Sequence, residues 1–222
     1  MRSTNVLTAI VVAITVASCG GGHGTQGGGT RVVSLGDSIT AGAPLWDPDK
    51  ASRDALGTSA DERSQYEYWA QRRLDGTRFR NCGVSGERTD EIASRLDECV
   101  RGAQVLIVQG GANDIAQGGS VEKAAANLRA MVRRGKQRGQ RVAITELVPW
   151  NGGYPAAAPS IRRLNGLIGR IGEDEDVPVF AWSRAVEDPA KPGRMRANYV
   201  SADQIHPTVA GYRRLAEEVE LP

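Results

Sequence analysis

Residues 104–109 read QVLIVQ and run straight into Gly110-Gly111-Ala112-Asn113-Asp114. An unbroken apolar run, with no alternation of polar and apolar positions, is expected of a strand covered on both faces, as in a parallel sheet between helices. Working outward from it, Arg31–Leu35, Arg78–Asn81, Arg141–Leu147 and Val177–Trp182 read as further strands. Helical composition or spacing marks Ser64–Leu74, Val121–Arg134, Ser160–Ile171 and Thr208–Val219, the last with Pro207 near its first turn. Glu91, Ile92, Arg95, Leu96 and Cys99 also recur at helical spacing. Short strands separated by helices predict an α/β fold: a three-layer α/β/α sandwich around a parallel sheet of about five strands, with right-handed crossovers. Ala43–Arg63 reads as the one long irregular stretch, of the kind that often serves as a lid or binding loop.

Composition narrows the function. The 222 residues are 40% hydrophobic and 24% charged, as in an ordinary globular chain. Lys and Arg exceed Asp and Glu by 28 − 26 = +2, and only 5% of residues are aromatic, so neither charge nor stacking surface favours nucleic acid. Three cysteines and two histidines exclude most zinc patterns, and no HExxH, Walker A or paired CxxC element occurs. No metal is expected. Gly22–Gly27 spells GxGxxG, but inside a glycine-rich run with no strand before it and no helix after it. Arg133, Arg134, Lys136 and Arg138 bunch near the end of a helix, where a solvated face suits the negative end of the macrodipole.

The first thirty residues stand apart. Arg2 precedes an apolar run from Val6 to Val16, too short to span a bilayer, which needs about 20 residues. It ends in Val16-Ala17-Ser18-Cys19, which resembles the lipobox of bacterial lipoprotein signal peptides. The resemblance implies a signal peptide over 1–18, cleavage before Cys19 and lipidation of Cys19, hence a membrane anchor at the extracytoplasmic face of the bacterial cell envelope. An ordinary secretory signal with an incidental cysteine is the alternative. Residues 19–30 then form a glycine-rich tether with a reach of about 17–20 Å, and 31–222 is a single domain, expected to be a monomer.

In open parallel sheets, ligands bind beyond the carboxyl ends of the strands. At or near those ends stand Gly36-Asp37-Ser38-Ile39-Thr40, Asn81-Cys82-Gly83-Val84-Ser85-Gly86 and Gly110-Gly111-Ala112-Asn113-Asp114. Before the last helix comes Asp203-Gln204-Ile205-His206-Pro207. These blocks, in this order, resemble the SGNH hydrolases, the GDSL-type esterases and lipases, from Arg31 almost to the C-terminus; GDSI replaces the usual GDSL without touching the serine. The resemblance implies a flavodoxin-like fold and a serine esterase with no cofactor. It makes Ser38 the nucleophile, His206 the general base and Asp203 the group that orients the imidazole. The Ser38 and Gly86 backbone N–H groups and the Asn113 amide would form the oxyanion hole. A small-molecule, lipid or acylated-glycan ester would be the substrate; a non-catalytic envelope binding protein and a glycan acyltransferase are the competing functions.

Physical chemistry supports these roles independently. A serine hydroxyl needs a base within hydrogen-bond reach, and imidazole suits that task near neutral pH. Only His23 and His206 exist, and His23 lies in the tether, so a serine–histidine mechanism must use His206. Pro207 disfavours a helical conformation at His206, and Asp203 is three residues away. Asp37 reads as a turn former rather than a second acid. Gly83-Val84-Ser85-Gly86-Glu87 misses the nucleophile elbow GxSxG at its fifth position. Tyr66 and Trp69, three apart on a helix, read as packing residues more readily than as cleft walls with Trp46 and Tyr68. With Cys19 lipidated, Cys82 and Cys99 form an even pair in an oxidising compartment. A continuous helix from Thr89 would carry Cys99 about 15 Å away, which leaves that disulfide open.

Overall fold

The computed structural model describes residues 29–222. The proposed signal peptide, Cys19, His23 and all but the last two residues of the tether lie outside them. The chain runs β1 (Thr30–Gly36), α1 (Ser38–Ala41), α2 (Lys50–Leu56), α3 (Tyr66–Arg73), β2 (Thr77–Gly83), α4 (Thr89–Ser94), α5 (Leu96–Cys99) and β3 (Val105–Val108). It continues through α6 (Ala112–Ala116), α7 (Val121–Gln137), β4 (Arg141–Thr145), α8 (Ala158–Glu175), β5 (Val179–Phe180), α9 (Trp182–Val186) and α10 (Val209–Glu217). The strands form one five-stranded sheet in the order β2-β1-β3-β4-β5, and every pair is parallel.

The apolar runs explain the layers. Successive side chains of a strand point to opposite faces. Val33, Leu35, Leu106, Val108, Val142 and Ile144 join one core with the apolar stripes of α7 and α8, including Leu128, Met131, Leu164 and Ile168. Val32, Val105, Ile107 and Ala143 join the opposite core with Tyr66 of α3, Trp182 of α9 and Tyr212 and Leu215 of α10. Both faces are covered, so no polar alternation survives in the central strands. The basic bunch of α7 is surface: Arg129 and Arg133 pair with Glu175 at the end of α8, and Arg134 and Arg138 pair with Asp97.

The structure departs from the sequence-based expectations in particular places. The stretch 43–63 is not wholly irregular: Asp49 accepts the Ser52 N–H at 2.8 Å and starts α2, which buries none of its residues. The last strand is only Val179–Phe180, because Trp182 already belongs to α9. The helix after Thr89 does not run through to Cys99. It breaks at Arg95 into α4 and α5, which turns Cys99 back toward the sheet; the two cysteines are joined as a disulfide with their Cα atoms 6.3 Å apart. Among the described residues no helix is long and apolar enough to cross a membrane.

The Cys82–Cys99 bond closes a segment of sequence separation 17. Cross-linking a loop of this size stabilises by about 3 kcal/mol, chiefly through the unfolded chain. The double variant Cys82→Ala/Cys99→Ala should therefore lose about 3 kcal/mol in urea denaturation, a loss that excess reductant reproduces in the wild type.

Candidate active site

The register of the sheet sets the stage. Leu35 of β1 lies level with Cys82 of β2 on one side and Val108 of β3 on the other, so three strands end at the same height. A Cβ on Gly83 would run into the Ala41 backbone, so α1 and the end of β2 approach as closely as glycine permits.

Beyond Gly36 the chain turns through Asp37 into α1. The Asp37 carboxylate accepts the Ile39 N–H at 2.9 Å, as a helix N-cap. The Asp37 N–H donates to Gln109 Oε1 at 3.0 Å, and the Thr40 hydroxyl donates to the same oxygen at 2.8 Å. Gln109, at the end of β3, thus fixes the turn that presents Ser38. Burial pushes the Asp37 carboxyl above its usual range, against the Ile39 and Gln109 hydrogen bonds and the nearby His206 that lower it. Asp37 Oδ1 serves the turn, while Oδ2 is buried without a partner, which fits the raised pKa.

Facing Ser38 is the loop before α10. Asp203 Oδ1 accepts from the Ser201 hydroxyl at 2.6 Å, the Ile205 N–H at 2.8 Å and the His206 N–H at 2.9 Å. Asp203 Oδ2 lies 2.7 Å from His206 Nδ1, and His206 Nε2 lies 2.9 Å from Ser38 Oγ. Burial raises the Asp203 pKa, but the hydrogen bonds from Ser201 and His206 and the Ile205 N–H outweigh it and hold the carboxyl at about 2. An ionised carboxylate can only accept, so Nδ1 carries the proton and Nε2 offers its lone pair to the serine hydroxyl. Gln204 takes the left-handed conformation at φ +61°, and its carbonyl is tied to the Gly152 N–H at 2.8 Å. That bond braces the loop against the segment following β4.

The other two candidates come from the neighbouring strand ends. Asn113 sits in the first turn of α6, whose N-cap Gly111 has φ +115°. One N–H of its amide donates to the Glu87 carbonyl at 2.9 Å, which leaves the second for a substrate oxygen. Gly86, at φ +87°, lies one residue before Glu87, and its carbonyl accepts from Gln117 Nε2 at 3.2 Å. Ser38 and Asn113 both line a cavity of about 120 Å³, whereas Gly86 is not part of its wall. Most of that wall is apolar, with Ile39, Ile115, Leu147, Val148, Trp182 and Ile205 contributing.

Several residues that matter here carry weak signals in the sequence. Gln109 is legible in retrospect as a polar residue closing an apolar run; it is 2% exposed. Tyr66 packs edge-on against Trp182 with ring centroids 4.7 Å apart, a core role. Glu67 beside it is fully buried near Ser34 and Tyr66, yet neither hydroxyl meets its carboxyl with hydrogen-bond geometry. Nothing in the surrounding YEYWAQRR singles it out.

Burial raises the Glu67 pKa to about 8 from an ordinary 4.5, while its own backbone N–H, Ser34 and Tyr66 pull it down less strongly. The folded chain therefore keeps this proton at pH values where the unfolded chain has lost it. That contribution to stability is complete below about pH 4.5 and is lost as pH rises towards 8. Thermal melts from pH 5 to 8.5 should show a decline in Tm that Glu67→Gln flattens; an equal decline in the variant would assign it to other groups.

Comparisons with known proteins identify the family and the fold. The model of the GDSL-like lipase/acylhydrolase family matches residues 34–214. No curated protein matches the chain. Among solved structures, the chain is similar to a member of the lipolytic G-D-S-L family from Veillonella parvula, at 16% identity and TM-score 0.68 over 85% of this chain and 95% of that one. It is similar to the lipase/acylhydrolase from Enterococcus faecalis, at 21% and 0.67 over 85% and 92% of the two chains. It is also similar to Axe2, an acetylxylan esterase from Geobacillus stearothermophilus, at 18% and 0.65 over 86% and 92%. At these identities the structural likeness shows the fold.

Proposed function

The chain belongs to the GDSL-like lipase/acylhydrolase family, and on that premise we propose that it cleaves carboxylic esters through an acyl-serine intermediate on Ser38. The observation that carries this reading is the unbroken hydrogen-bond line from Asp203 through His206 to Ser38, at 2.7 and 2.9 Å. As Ser38 Oγ bonds to the ester carbonyl carbon, His206 Nε2 takes the hydroxyl proton and becomes imidazolium, stabilised by the ionised Asp203. The carbonyl oxygen gains negative charge and is met by the spare Asn113 N–H and the backbone N–H groups of Ser38 and Gly86. When the tetrahedral species collapses, the C–O bond to the alcohol breaks and His206 returns the proton to the leaving oxygen. Water then repeats the sequence on the acyl-enzyme, with His206 again as base, and releases the acid.

The apolar cavity beside Ser38 is the natural place for the acyl chain, since burying each CH₂ contributes about 0.8 kcal/mol. Its walls suit an acyl group of several carbons better than a charged one. We carry forward, as part of the proposal, lipidation of Cys19 and residence outside the cytoplasm. The apolar run 6–16 and the Val16–Cys19 block support it, as does a disulfide of the kind that persists in oxidising compartments.

Aryl esters of graded chain length provide the test. Turnover should rise from acetyl to medium-chain acyl groups in the wild type. It should fall by roughly 10⁴-fold or more in Ser38→Ala and His206→Ala. In Asn113→Ala, kcat should fall by about 10²–10³-fold. Turnover by Ser38→Ala at the wild-type rate would overturn the reading.

A further inference from the structure

We infer that Arg95 is a positioning residue for the oxyanion-binding loop, a role that rests on the serine-esterase reading above. The residue sits in the break between α4 and α5, at φ −92° and ψ −6°, and it is this break that turns its side chain back toward the strand ends. Its guanidinium then reaches three parts of the site at once. Nε donates to both Glu87 carboxylate oxygens at 2.9 Å, and Nη2 to Oε2 at 2.6 Å. Nη2 also donates to the Gly36 carbonyl at 3.3 Å, two residues before the nucleophile. Nη1 donates to the Cys82 carbonyl at 3.1 Å and lies 3.6 Å from Cys99 Sγ, at the disulfide.

Glu87 gives this contact its meaning. It follows Gly86 directly, and its carbonyl is the acceptor that orients the Asn113 amide. Fixing the Glu87 side chain therefore fixes both non-serine donors relative to the strand that carries Ser38. The Val84 N–H, at 3.0 Å from the same Gly36 carbonyl, ties the other end of the loop to that point. The pair is partly withdrawn from water, with side-chain exposures of 25% for Arg95 and 18% for Glu87, and it meets in the forked geometry that lysine cannot reproduce. Arg129, Arg133, Arg134 and Arg138, by contrast, pair with acids on the helical surface.

Oxyanion donors act mainly in the transition state, so their displacement lowers kcat and leaves ground-state binding nearly intact. Misplacement by about 1 Å can cost up to 10²-fold. The experiment compares wild type with Arg95→Lys, Arg95→Gln, Glu87→Gln and the Arg95→Gln/Glu87→Gln double variant on one aryl ester, with melts to confirm folding at the assay temperature. The expected result is a roughly 10- to 100-fold fall in kcat with KM within about twofold, no rescue by lysine, and a double variant no slower than the single ones. A phosphonate that develops negative charge at the same oxygen should inactivate these variants more slowly in parallel. Folded variants with wild-type kcat, or losses that follow the unfolded fraction alone, would overturn the assignment of Arg95 while wild-type turnover still upheld the esterase reading. A wild type inert towards esters would bring down both.

Discussion

Ser38 and His206 are 168 positions apart in the chain, yet their side chains meet at 2.9 Å. That contact is the constraint the rest of the structure serves, because a serine hydroxyl without a base is a poor nucleophile. A parallel sheet supplies the means. All its strands run the same way, so every strand-to-helix loop opens on one rim. The order β2-β1-β3 places the nucleophile strand between the two strands whose loops carry Gly86 and Asn113. The chain leaves β1 in one direction to β2 and then crosses to the other side for β3, so the crevice forms where the order reverses. The last loop, before α10, adds the imidazole from outside the sheet.

Holding a serine at the start of a four-residue helix requires polar groups in places a core would otherwise fill with carbon. Asp37, Thr40, Glu67 and Gln109 are all buried around that turn. Gln109 and Asp37 use their hydrogen bonds to fix it. Asp37 Oδ2 and both Glu67 carboxyl oxygens are buried without partners, and burial raises both acids' pKa, since an unpaired buried charge costs more than a neutral acid. The disulfide and the Arg95–Glu87 pair work on the opposite side of the nucleophile strand. Together they tie the glycine-bearing loop to the strand ends at Gly36 and Cys82.

The layers and the rim were legible in the sequence because they follow from local patterns. Unbroken apolar runs such as QVLIVQ announce strands buried on both sides, and small or polar blocks follow the strands where chemistry can sit. The pairing of His206 with Ser38 was legible by elimination, since the tether holds the other histidine. What escaped depends on tertiary contacts. The break at Arg95 has no proline or glycine to mark it, and without knowing of the break the sequence leaves the disulfide undecided. Helix α2 starts at the Asp49 cap and buries none of its residues, so no apolar periodicity marks it. The apolar cavity gathers residues from loops and helices far apart in the chain, and no motif spells it. Glu67 resembles any helical glutamate until its neighbours are known.

The central claim is that one hydroxyl, activated by one imidazole, forms the covalent bond to substrate. Peptide-resolved mass spectrometry after brief exposure to a fluorophosphonate and acid quench reads this directly. The expected result is a single phosphonyl adduct on the peptide bearing Ser38, lost almost entirely in His206→Ala. An adduct on a different residue, or undiminished labelling of Ser38 without the histidine, would contradict it.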